Sequence, residues 1–123
     1  MPEWIRVDMD PSPVRRGERL RVRWEAGPRG RDFELRLALV VHHETLVRPW
    51  GGDSRTALER QVHVIHDRAA VEGAAGAPWL RVPGEAPYSY PGKVLGFFWG
   101  IALAPVGVSA ERLQGWLALR VLP

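Results

Sequence analysis

The chain has 123 residues, 46% hydrophobic and 25% charged, with a net charge of +3 and no cysteine. That length suits one domain spanning 1–123, and the balance excludes disordered and fibrous classes. Without cysteine there is no disulfide, no thiolate zinc site and no cysteine nucleophile.

Period-two alternation dominates the chain and predicts strands. Over Trp4–Met9, Ile5, Val7 and Met9 alternate with Trp4, Arg6 and Asp8. The breaker-rich run Asp10-Pro11-Ser12-Pro13 through Gly17 then predicts a turn. Over Arg19–Glu25, Leu20, Val22 and Trp24 face one way, and Arg19, Arg21, Arg23 and Glu25 the other. After a Gly27-Pro28-Arg29-Gly30 turn, Asp32–His42 sets Phe33, Leu35, Leu37, Leu39 and Val41 on one face. Its other face begins polar with Asp32, Glu34 and Arg36 and turns apolar at Ala38 and Val40.

A further strand is expected over Ala57–His66, and a helical turn over Ala69–Gly73 that Gly73, Gly76 and Pro78 keep short. Trp79–Val82 reads as a short strand. Lys93–Ala104 is the longest, with Leu95, Phe97, Trp99, Ile101 and Leu103 opposite Gly96, Gly100, Ala102 and Ala104, interrupted by Phe98. Gln114–Leu122 closes the chain. About seven strands without an amphipathic helix read as an all-β, two-sheet antiparallel sandwich of immunoglobulin-like or arrestin-like type. Of six tryptophans, about four are expected in or near the core.

The segment Pro83-Gly84-Glu85-Ala86-Pro87-Tyr88-Ser89-Tyr90-Pro91-Gly92-Lys93, followed by Phe98-Trp99-Gly100-Ile101-Ala102-Leu103, resembles arrestin-like proteins. In that family a Pro-x-Ser-Tyr-x-Gly turn leads into a strand with an inward Trp; Pro87, Ser89, Tyr90, Gly92 and Trp99 take those places here. Arg16-Gly17-Glu18 ahead of an alternating strand, and the closing Val121-Leu122-Pro123, are similar too. The resemblance implies the N-terminal type of arrestin sandwich and a scaffold role toward receptor or trafficking partners. The family carries two tandem sandwiches, and this length suits one. The family's buried polar core and phosphate-sensing residues find no counterpart in the sequence.

Independently of the family, Pro87 and Pro91 restrict the loop backbone, and Ser89 can bond to nearby main chain. The loop therefore aims Tyr88 and Tyr90 either into the end of the core or at solvent. Four histidines, His42, His43, His63 and His66, would hold a metal only if one of each pair met across strands with Glu44 or Asp67; no metal motif is present. No catalytic, phosphate-loop or dinucleotide motif is present either, so no enzyme activity and no cofactor are expected.

The leading reading is a non-catalytic interaction module whose partner is another protein or a second copy, as a homodimer. Its contact residues are expected among Trp50, Trp79, Tyr88, Tyr90, Arg19, Arg21 and Arg23. Nucleic acid or another polyanion on the Arg19–Arg21–Arg23 face is the alternative; no aromatic residue is expected to interleave with those arginines on that outward face, and Asp32 and Glu34 are candidate cross-strand partners for them. A metal- or ligand-binding sandwich enzyme ranks third. The longest apolar stretch, Val94 to Val108, is too short and too rich in glycine to span a membrane. No signal peptide is recognisable, and a cytoplasmic location is expected. One lysine, no asparagine and many arginines suit a thermostable or GC-rich origin.

Overall fold

The computed structural model describes residues 1–28, 32–47, 56–109 and 112–123. Ten strands succeed one another: β1 (Ile5–Asp10), β2 (Val14–Arg15), β3 (Arg19–Ala26), β4 (Phe33–Val47), β5 (Thr56–Ala70), β6 (Ala75–Gly76), β7 (Trp79–Arg81), β8 (Leu95–Pro105), β9 (Gly115–Leu119) and β10 (Val121–Leu122). The protein is all-β, with several antiparallel ladders. In one sheet β3 pairs with β1 on one edge and with β6 and β7 on the other. A second runs β5-β4-β8-β9. A short parallel pair, β2 with β10, ties the first turn to the end of the chain.

Alternation decides which side chains meet. Ile5, Leu20, Val22, Trp24 and Leu80 from the first sheet share one buried cluster with Leu35, Leu37, Leu39, Trp99, Ile101 and Leu103 from the second. Each such side chain contributes about 1.5–3 kcal/mol relative to exposure in water. The inward faces expected for β3, β4 and β8 are the observed ones. Of the tryptophans described, Trp24 and Trp99 are buried, Trp4 and Trp116 half-buried and Trp79 exposed.

Several expectations need correction. No helical turn forms over Ala69–Gly73, because Ala69 and Ala70 end β5, paired with Leu35 and Glu34. β4 and β5 also run well past the expected boundaries, to 15 residues each. The cause is mutual: their ladder continues to Val47 and Thr56, beyond the last β4–β8 pair at His43 and Leu95. The final strand breaks at Arg120, where the chain leaves β8 and joins β2. With four two- or three-residue strands included, the count exceeds seven.

The small-residue face of β8 has a packing role. Gly100, Ala102 and Ala104 stand beside Ala38, Arg36 and Glu34 on β4. A Cβ at Gly100 would lie 2.3 Å from the Trp116 indole, so only glycine lets that ring rest on the sheet.

Candidate interaction surface

The tyrosine loop is fixed from two sides. Ser89 N–H donates to Val121 O at 2.8 Å, and Val121 N–H donates to Ser89 Oγ at 2.8 Å. Tyr90 and Phe97 exchange backbone bonds in both directions, and Trp99 Nε1–H donates to Pro87 O at 2.9 Å. So held, Tyr88 and Tyr90 point outward and are about half exposed rather than closing the core. With Pro87, Leu95 and Phe97 they line an apolar niche of about 220 Å³. The Arg16 guanidinium lies 5.4 Å above the Tyr88 ring.

The arginine face differs from its sequence reading in two respects. Asp32 and Glu34 are not partners of Arg19, Arg21 and Arg23, because β4 and β3 belong to different sheets. Asp10 and Asp8 of β1 stand opposite Arg21 and Arg23 instead, and Glu25 opposite Arg6. An aromatic ring does interleave: Trp79 arrives from β7, directly opposite Arg21, and the guanidinium groups of Arg19 and Arg21 lie 5.1 and 5.3 Å from its ring. Sequence order hid it because β7 is almost 60 positions downstream of β3. Trp50 lies outside the described residues.

One surface feature was not among the expected sites. β5 is the edge of its sheet. On the core-facing side, Leu58, Val62 and Val64 of β5 and Leu95 of β8 extend past the cover of the first sheet. Val62 is 50% exposed and Leu58 55%. They adjoin Val41 and Phe97, which pack against the core, and Tyr90, which is bridged to Phe97. With Arg60 between Leu58 and Val62 on the same face, the result is a largely apolar shelf beside a strand edge that is unpaired among the described residues, a form of surface open to strand addition. The alternation at Leu58, Val62 and Val64 was visible in sequence, but not that their face outruns its cover.

A buried charge cluster was missed as well. Arg36, 2% exposed, donates from Nε to Glu34 Oε1 at 2.7 Å, and from Nη2 to both Pro105 O at 3.2 Å and Val108 O at 2.9 Å. Arg68 approaches the same Glu34 oxygen at 3.7 Å. Residues two apart on a strand share a face, so the Glu34/Arg36 spacing was the available signal.

No two histidines stand directly opposite one another, and His63 faces Val40. His42 faces Gln61 and His43 faces Arg60. His66 falls at the β5 irregularity, without a β4 partner, and its ring stacks on Trp99 at 5.0 Å. Its Nε2 is buried without a hydrogen-bond partner. Burial pushes the His66 pKa below 6.5, against a weaker upward pull from Glu85. The neutral ring is therefore the form the fold prefers. Stability should be greatest above pH 6.5 and fall as pH drops through that value, because the unfolded chain takes up the proton first. Urea midpoints between pH 8 and 5 will show a decline that His66→Phe, which keeps the stack, reduces.

Compared with known proteins, the chain matches no family model and no curated sequence. Among the described residues, no helix is long and apolar enough to cross a membrane.

Proposed function

We propose that this protein is a non-catalytic interaction module, an arrestin-like or immunoglobulin-like sandwich that takes a protein partner along β5. The observation carrying this reading is the β5 edge, unpaired among the described residues, with Leu58, Val62 and Val64 exposed beside it. An extended segment laid there would gain main-chain hydrogen bonds from the edge and bury alternate side chains on the shelf. The tyrosine niche at Pro87, Tyr88, Tyr90, Leu95 and Phe97 continues the same apolar surface and gives an anchor site for an aromatic or aliphatic side chain. Self-association through this edge is one form of the same reading.

The test compares the wild-type chain with Val62→Lys/Val64→Glu in quantitative affinity capture and in light scattering. A specific partner, or a dimer, that is lost in the double variant and retained in Arg21→Glu supports the proposal. A monomer that recovers no specific partner counts against it.

The polyanion reading has one favourable observation, Trp79 between Arg19 and Arg21. Against it, Asp8 and Asp10 stand on the adjoining strand β1, and Glu25 follows the arginines on β3 itself. Steep salt-dependent binding of single-stranded DNA or RNA, weakened by Arg21→Glu, would move the conclusion to that face.

A further inference from the structure

The other side of the β4–β5 ribbon carries an independent feature. His42 and Glu44 stand two apart on β4, so they share a face, and Glu59 lies directly opposite Glu44 on β5. An imidazole nitrogen and two carboxylate oxygens, one atom from each residue, all lie within 4.8 Å of one another. Like charges directly across a ladder destabilise it. Among the described residues the ion pairs involve Glu34 with Arg36 and Arg68, and none reaches Glu44 or Glu59. Arg60, next to Glu59, is opposite His43 and projects to the other face. On the β8 side His42 faces Gly96, over which the Phe98 ring lies.

We propose that His42, Glu44 and Glu59 form a binding site for a divalent transition-metal ion of the zinc class. The donor set selects that class: calcium and magnesium prefer shells made of oxygen, whereas zinc accepts imidazole nitrogen together with carboxylate oxygen. Bond lengths of about 2.0–2.2 Å require donors roughly 3.4 Å apart, a tightening that the exposed Glu59 can supply by a rotamer change. Three protein ligands leave one position for water.

Position gives the ion a consequence. Glu44 and Glu59 lie just beyond the last β4–β8 register pair; Glu44 N–H still donates to Val94 O at 2.8 Å, and past that bond the ribbon is two strands wide. Two-stranded ribbons are marginal alone. A cation bridging β4 to β5 replaces the carboxylate repulsion with a cross-link and fixes the ribbon that also carries the apolar shelf.

Zinc chloride titrated calorimetrically into the full chain should show saturable binding near one ion per chain. His42→Ala and Glu59→Gln should each weaken it by roughly tenfold or more, since even outer-shell changes commonly cost that much. Glu59→Gln also separates the site from a structural role. It removes the repulsion, so its metal-free melting temperature should equal or exceed the wild-type value, while the zinc-dependent rise disappears. Cobalt(II) absorption bands lost in both variants would report the same site. Absence of saturable binding overturns the proposal, as does binding that survives both substitutions and is lost in His63→Ala.

Discussion

Replacing Arg36 with leucine is expected to cost about 3–5 kcal/mol of folding free energy, the range seen when one partner of a buried ion pair is removed. The physical reason lies in what stays behind. Glu34 is itself buried, and its carboxylate would keep only the more distant, exposed Arg68. The carbonyl groups of Pro105 and Val108 would lose a charged donor in a part-buried setting. A domain of this size has about 5–15 kcal/mol in total, so the loss is a large share of it. Arg36→Lys should lie between wild type and leucine, because an ammonium cannot reproduce the planar fork that spans a carboxylate and several carbonyls. Glu34→Leu/Arg36→Leu should recover part of the loss, since the stranded charge is then gone. Urea denaturation of the four proteins measures all three differences. Arg23→Ala is the control: exposed on β3, it should change stability by no more than about 0.5 kcal/mol. An Arg36→Leu protein as stable as that control would show that the cluster contributes nothing to the fold.

Much of this architecture was legible because it depends on a local rule. Leu20, Val22 and Trp24, or Trp99, Ile101 and Leu103, need only alternate to declare a buried face, and all six are buried. The small residues Gly100, Ala102 and Ala104 were equally visible, but their purpose depends on Trp116, Arg36 and Glu34, which other strands bring beside them. The same limit applies to the surface. Trp79 was singled out and so were Arg19 and Arg21, yet their stacking follows from β7 pairing with β3 across a long stretch of intervening chain. His42 and Glu44 share a face by spacing alone, whereas Glu59 joins them only through the β4–β5 register. The shelf at Leu58, Val62 and Val64 illustrates a different failure. Apart from Arg60, their alternation is that of core residues, and sequence contains no statement of how far the opposing sheet reaches. Where a strand outruns its cover, the pattern that normally signals burial signals a contact surface instead.

Trp99 joins the core to that surface, and Trp99→Ala should cost about 3–5 kcal/mol, as large-to-small substitutions of buried aromatic residues do. The side chain is 1% exposed, and its backbone is paired with Leu39 on one side and Leu119 on the other. The more informative variant is Trp99→Phe. It keeps most of the ring volume over His66 but removes the bond from Nε1–H to Pro87 O, for a smaller loss of about 1–3 kcal/mol. That bond fixes the start of the loop that presents Tyr88 and Tyr90. Its end is held separately, by Ser89 to Val121 and by Tyr90 to Phe97. Amide hydrogen exchange can therefore resolve how the loop is held. If the indole bond is needed to set the loop, exchange at Ser89 and Tyr90 should accelerate in Trp99→Phe more than exchange at Leu35 or Leu37, deep in β4. Uniform acceleration across all four amides would mean that the loop opens only when the whole domain unfolds. The tyrosine niche would then be a fixed part of the core's rim, ready for a partner without rearrangement.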